Sequence, residues 1–353
     1  MRKPQRASVA AFQFRRRPLG GANEWSFRLF GNPPLSCRLI TESKLATFVV
    51  KCHGDRSVSA VSFITVCKGR LHHLRQVLPL WKQQRPQEIM VVDYGCPQGT
   101  ADWLAANHPD VRVIRVEDDP EFCLARARNI GVRASSGEWL TLIDADIRTN
   151  PGWMAWMDAS LRPGYFYTCA EENGPDAWQA GGTVICRREA FERVGGYDEV
   201  FRLWGFEDTD LYHRLSSKGE VRDRYPQRFI SPIFHGNDER VSSYGNKDFL
   251  RHCLITSVYW QFKKQLMGLS EKGVEIPFDK RQMLMNDIRQ RIERWQPDDG
   301  PLDLSVARTI TLPIVRGFSA RRSFRLQYRL TKADLVGRGM HLVSSPIRTA
   351  PEM

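Results

Sequence analysis

VSAVSFITV (58–66), EIMVVD (88–93), VRVIRV (111–116) and EWLTLIDAD (138–146) are four apolar runs separated by segments of helical periodicity. The first is nearly continuous in apolar and β-branched residues, as a strand covered on both faces requires. Between the runs, GRLHHLRQVLPLWKQQ puts Leu71, Leu74, Val77, Leu78 and Trp81 on one helix face. TADWLAANHP reads as a short helix, and FCLARARNIGVRASSG as a helix closed by a glycine. Strand and helix alternating four times predict an α/β fold, a mostly parallel sheet with right-handed crossovers. Ligands of such sheets lie beyond the carboxyl ends of the strands, where Asp93 and the pair Asp144 and Asp146 fall.

Outside 57–150 the pattern loosens. Strands are expected near 164–170 and 183–187, and helices over 207–219, 246–268 and 279–295. SFRLQYRL (323–330) alternates like a strand with one partly basic face. The period-two pieces SFRLF, SCRLIT and LATFVV in the first 56 residues predict small strands. The expected organisation is a basic, β-rich extension over 1–56, a catalytic domain over 57–245, and a helical, basic extension over 246–353.

Composition narrows the class of protein. The chain has 353 residues, 42% hydrophobic and 26% charged, with 10 Trp and 18 Phe, which is folded-domain material. No uncharged apolar run approaches the ~18–20 residues that a membrane-crossing helix needs, and the basic N-terminus lacks the apolar core of a secretory signal. The eight Cys (37, 52, 67, 96, 123, 169, 186 and 253) are never spaced C-x-x-C, which points to reduced thiols in a cytoplasm. Of the net charge of +12, residues 1–56 and 270–353 carry the surplus, and the centre is balanced. Basic ends around a neutral centre do not describe a nucleic-acid groove; they fit solvated surface or peripheral contact with an anionic membrane.

The chain contains no G-x-G-x-x-G after its first strand, no P-loop, no G-x-S-x-G elbow and no H-E-x-x-H. What stands out is Asp144-Ala145-Asp146, two carboxylates able to offer oxygen to a hard divalent cation. The second stand-out is GGTVICRREAFERVGGYDEVFRLWGFEDTDLYHRL (181–215). This block resembles the C-terminal part of the galactosyltransferase catalytic domain, also found in chondroitin polymerases. The strands before it resemble a family 2 glycosyltransferase of the GT-A fold, and the similarity covers about 57–240.

The resemblance implies roles residue by residue. Asp93, in VVDYGCPQGT, stands where these families contact the uracil base, although Tyr94 and Cys96 depart from the usual turn. Arg128, Asn129 and Gly131 resemble the A-R-N-x-G stretch beside the nucleotide, with Arg126 close by. Asp144 and Asp146 match the D-x-D motif, Asp146 being the implied metal ligand with His235 as its partner. Gly181 and Gly182 match a glycine pair at the donor sugar. Trp204, Glu207 and Asp208 match the W-G-x-E-D segment that holds the acceptor and supplies the base.

The implied activity is inverting, metal-dependent transfer of a hexose or N-acetylhexosamine from a UDP-sugar to a glycan or glycolipid, with Mn²⁺ or Mg²⁺ as cofactor. Departure of the diphosphate builds negative charge that a divalent cation stabilises. The acceptor hydroxyl needs a carboxylate to take its proton, and Asp208 is the expected one. A non-catalytic sugar- or nucleotide-binding relative and a nucleotidyltransferase are the alternatives; nucleic acid is not an expected partner. Individually the residues have plainer readings too: Asp93 as a turn cap, Arg126 and Arg128 as solvated helix charges, His235 as an isolated histidine. His72 and His73 read as surface decoration.

Overall fold

The computed structural model describes residues 15–16, 24–27, 35–38, 60–170, 181–268, 276–315 and 318–332, with side chains for 60–170, 181–268, 276–307 and 325–332. The chain divides into two units, Met1–Ser57 and Val58–Met353. In the first, β1 (Arg15–Arg16), β2 (Glu24–Phe27) and β3 (Leu35–Arg38) form an antiparallel three-stranded sheet. The LATFVV piece and most of the basic residues of both chain ends lie outside the described residues.

The second unit opens with the predicted alternation: β4 (Val61–Cys67), α1 (Leu71–Gln84), β5 (Glu88–Asp93), α2 (Thr100–Asn107), β6 (Arg112–Arg115), α3 (Leu124–Ala134) and β7 (Trp139–Leu142). Next come β8 (Ile147–Thr149), α4 (Trp153–Ser160), β9 (Tyr165–Cys169), β10 (Val184–Arg187) and α5 (Arg188–Arg193). After these follow α6 (Glu207–Ser217), β11 (Val221–Tyr225), β12 (Ile230–Pro232) and α7 (Asn237–Val241). The chain then runs through α8 (Phe249–Gly268) and α9 (Phe278–Arg294) into a hairpin of β13 (Leu302–Val315) and β14 (Phe318–Leu330).

Seven strands make one sheet in the order β11-β9-β10-β7-β4-β5-β6. β10 runs antiparallel to β7 and β9, and every other pairing is parallel. One face packs on α1 and α4 through Leu74, Leu78, Trp81 and Trp153, and the other on α3, α5 and α6 through Val132, Phe191 and Leu211. The five apolar residues expected on one face of α1 are all buried. Two details differ from expectation. β6 is the sheet edge and is only half covered, so its alternation is partly exposed. β7 stops at Leu142, and the backbone turns with the Ile147 N–H donating to the Asp144 carbonyl at 3.1 Å, so the D-x-D residues occupy a turn beyond the strand.

The segment after 245 does not stand apart from what precedes it. α8 and α9 share a core with Val200, Phe201 and Leu203. A buried charge cluster ties the same parts: Lys263 lies 2.8 Å from Asp198 and 2.6 Å from Asp210, and Arg281 lies 2.7 Å from Asp198. The division expected at 245/246 therefore runs through one continuous core.

Candidate active site

Beyond the carboxyl ends of β4 and β7 lies a cavity of about 640 Å³, within the range of small-molecule clefts. Asp144, Asp146, Arg128, Gly181, Gly182, Trp204, Glu207, Asp208 and His235 all line it. They come from five separate stretches of chain, brought together by three devices.

The first is Arg128. Buried on α3, its guanidinium donates through Nη2 to Asp144 Oδ1 at 2.7 Å, and through Nη1 to Asp208 Oδ1 at 2.7 Å and Glu207 Oε1 at 3.2 Å. Planar, forked donors suit this bridging between carboxylates. It is no solvated helix charge, being 3% exposed. Arg126, two residues earlier, faces another way: it pairs with Asp118 and Asp119 and does not line the cavity. Residues i and i+2 of a helix never share a face.

The second device is the small ribbon of β8 and β12. Its register pairs Ile147 with Pro232, and the Ile233 N–H donates to the Asp146 carbonyl at 2.7 Å. Asp146 and His235, 89 positions apart, are thereby brought to an Oδ2–Nε2 distance of 2.8 Å. Burial pushes the Asp146 carboxyl up, but the His235 hydrogen bond and the charges around it, Arg70 among them, outweigh burial and hold it below its ordinary value. His73 corrects the reading of His72-His73 as surface decoration. It is 5% exposed and stacks on His235 at 5.6 Å, because the side of α1 that carries it packs against the segment after β12. Burial, reinforced by the neighbouring charge of His72, lowers its pKa to about 4. Among the described residues His72, His73 and Glu239 bring three potential metal ligands within 4.8 Å, but Glu239 is engaged by Arg70 through both its carboxylate and its carbonyl. That contact anchors α7 to the start of α1.

The third device is the turn into α6. Gly205 and Phe206 both have positive φ, 96° and 68°. A left-handed phenylalanine costs roughly 1–3 kcal/mol and needs its surroundings to hold it; Phe206 packs on Trp260 at 5.7 Å. The turn directs Glu207 and Asp208 at Arg128. Asp208 also accepts from the Tyr197 hydroxyl at 2.9 Å. Burial, with the negative charges of Glu207 and Asp144, raises the Asp208 carboxyl well above the usual range, although Arg128 opposes this. Glu207 is raised by burial too, and its Oε2 is buried without a hydrogen-bond partner.

Gly182 closes the floor. A Cβ there would stand 2.8 Å from Asp144 Oδ2 and 3.2 Å from Asp208 Oδ2, so any side chain would intrude on both carboxylates. Trp204 stands half-buried on the rim, against Phe249 at 4.7 Å, with the Arg240 guanidinium 5.8 Å from its ring centre.

Two expected site residues are occupied with other work. Asp93 accepts from the backbone N–H of Cys96 at 2.7 Å and of Ala101 at 2.8 Å, which closes the turn into α2, and it does not line the cavity. Asn129 accepts from the Tyr197 N–H at 2.8 Å and donates to the Tyr197 carbonyl and to Glu199. It holds the loop that delivers the Tyr197 hydroxyl to Asp208. Sequence reading missed Lys68, Arg70, Tyr244 and Trp260, which also line the cavity. Position directly after β4 was a usable signal for Lys68 and Arg70; Trp260 offered none.

A mostly parallel sheet with an antiparallel insertion, a D-x-D turn at its carboxyl edge and an E-D helix facing it is the architecture of the GT-A fold. Residues 62–157 match glycosyl transferase family 2, and residues 173–235 match the family described as the N-terminal domain of galactosyltransferase. The chain is thus similar to family 2 glycosyltransferases, with a galactosyltransferase-like segment. N-acetylglucosaminyl-diphospho-decaprenol L-rhamnosyltransferase of Mycobacterium tuberculosis is 23% identical, over 38% of this chain and 63% of its own length. The chain therefore spans under two thirds of that relative. Among solved structures, the mannosyltransferase PcManGT of Pyrobaculum calidifontis, in complex with GDP-Man and Mn²⁺, is similar with 16% identity and a TM-score of 0.47, covering 66% of this chain and 75% of that one. S. aureus TarS 1-349 with UDP-GlcNAc has 12% identity and a TM-score of 0.45, covering 66% and 72%. Among the described residues no helix is long and apolar enough to cross a membrane.

Proposed function

We propose that this chain catalyses inverting, metal-dependent transfer of a hexose or N-acetylhexosamine from a UDP-sugar to a hydroxyl of a glycan or glycolipid. The observation that carries the reading is the Arg128 bridge, which gathers Asp144, Glu207 and Asp208 into the same cavity as the Asp146–His235 pair. The relative that acts on an N-acetylglucosaminyl-diphospho-decaprenol supports a glycolipid as one acceptor class.

Asp146 and His235 are the residues that would hold the divalent ion. A carboxylate oxygen and an imidazole nitrogen form a donor set that Mn²⁺ accepts, and their 2.8 Å separation places both donors on one point. When bound, the ion supplies Lewis-acid stabilisation of the charge growing on the departing diphosphate. Asp208 takes the acceptor proton on Oδ2, the oxygen beside Gly182, while Arg128 and the Tyr197 hydroxyl hold Oδ1. As the acceptor oxygen bonds to the anomeric carbon, the bond from that carbon to the diphosphate oxygen breaks and UDP leaves. A single displacement of this kind inverts the anomeric centre. Its raised pKa makes Asp208 a stronger base than an exposed aspartate. Glu207 and Trp204 hold the acceptor ring, and Asp144 faces the donor beside Gly181 and Gly182.

Asp93, Arg126 and Asn129 act as supports for the turn and loops around the nucleotide and carry no direct contact in this scheme. A cytoplasmic setting is supported by the six free thiols among the described residues. The test is release of UDP from a panel of UDP-sugars with Mn²⁺, with and without acceptor, in wild type and Asp208→Asn. A wild type that neither binds UDP by calorimetry nor releases it from any donor refutes the proposal.

A further inference from the structure

Donor and acceptor must share one cavity, and strand order says which end belongs to which. The sheet order reverses between β4 and β7, and the crevice at such a reversal is where nucleotides lie in open α/β sheets. Val66, Lys68, Phe122 and Tyr244 line the cavity there. The other end is lined by Phe206, His213, Ser216, Arg222 and Trp260. Arg222 belongs to β11, four strand steps from β4, or ~19 Å at the usual spacing. Glu207 and Asp208 lie on α6 between the two ends, joined through Arg128 to Asp144 at the tip of β7.

From this we infer that the far end is a second saccharide subsite, which holds the acceptor ring next to the one that reacts, with Trp260 as its principal wall. The inference rests on the transferase reading above. Trp260 comes from α8, beyond both matched family segments, which end at residue 235. It is half-buried, with Phe206 at 5.7 Å on one side and the His213 ring edge-on at 6.5 Å. The Lys264 ammonium lies 5.0 Å from the Trp260 ring centre, and His213, Ser216 and Arg222 around the aromatic ledge are hydrogen-bonding groups. A flat apolar wall with convergent polar groups matches a pyranose, which has an apolar C–H face and a rim of hydroxyls. No carboxylate lines this end, whereas four line the middle of the cavity, so the ledge takes no part in proton transfer.

Saturation-transfer NMR with UDP and Mg²⁺ tests this, using methyl β-D-galactopyranoside, lactose and N,N′-diacetylchitobiose as probes. At least one disaccharide should bind wild type more tightly than the methyl glycoside, with saturation reaching both rings. Trp260→Ala should weaken that disaccharide by about tenfold, the scale of one aromatic contact, and leave UDP affinity as it was. Ser216 is exposed on α6, so Ser216→Tyr fills the subsite without disturbing the core or the turn into α6, and should weaken the disaccharide while leaving the methyl glycoside as it was. Binding of UDP together with disaccharide affinities that match the methyl glycoside in wild type, or are unchanged in both variants, overturns the subsite alone. Failure of wild type to bind UDP brings down the transferase reading, and the subsite with it.

Discussion

Replacing Arg128 with Met keeps much of the side-chain volume on α3 and removes the one cation shared by three carboxylates. Two contacts of 2.7 Å and one of 3.2 Å disappear at a site 3% exposed. Removing one partner of a buried ion pair costs about 3–5 kcal/mol, because the other charge stays buried. At about 2 °C per kcal/mol for a unit of this size, melting should fall by roughly 6–10 °C. The catalytic consequence is separable from the loss of stability. A unit charge at about 4 Å contributes about 4 kcal/mol at an effective dielectric of about 20, or about three pKa units. With that cation gone, the Asp208 carboxyl, already raised by burial, should rise further. Asp208 must be ionised to accept a proton, so the acidic limb of kcat/KM for UDP release should move to higher pH. Arg128→Lys retains the charge but lacks the fork that reaches both sides, and should fall between Met and wild type. Continuous UDP-release assays from pH 5 to 9, with thermal melts on the same preparations, give both numbers. An Arg128→Met protein with the wild-type limb and melting temperature would show that the bridge does not set the Asp208 charge.

Asp208→Asn should cut kcat by about 10²–10⁴-fold, as loss of a general base does, while calorimetry finds UDP affinity nearly unchanged. Glu207→Gln should act mainly on acceptor KM; a larger effect on kcat than that of Asp208→Asn would exchange their roles. Asp146→Ala and chelation should each abolish most activity, and His235→Ala should weaken metal affinity by about 10–100-fold, read by Mn²⁺ titration; full turnover in EDTA would contradict this. Asp198, fully buried against Lys263 and Arg281, is pushed up by burial, but those two charges win and hold it at about 2. A depressed carboxylate stabilises the fold above its unfolded pKa of about 3.9, so about 2 kcal/mol should be lost as pH falls from 4 to 2. Urea midpoints across that window, which should flatten in Asp198→Asn, check it.

Hydrophobic periodicity is a local property, and what depends on it was legible in the chain. The strand-helix alternation of 58–146, the buried face of α1 and the paired α8 and α9 follow from which residues must leave water together. The D-x-D and W-G-F-E-D stretches were equally legible, since acidic residues crowded past an apolar run have to face a cavity or solvent. Which of those side chains meet was settled by tertiary structure. Arg126 and Arg128 look equivalent in the sequence, but the two-residue step on a helix turns one away from the cavity to Asp118 and Asp119 and the other into the carboxylates. Asp93 looks like a ligand until its oxygens are seen to be taken by two backbone N–H groups. His235 meets Asp146 through the register of β8 with β12, and Trp260 reaches the cavity because Lys263 and Arg281 bind α8 and α9 to Asp198 and Asp210. These contacts join residues tens of positions apart, and their energy depends on distance and burial, which spacing along a chain does not encode.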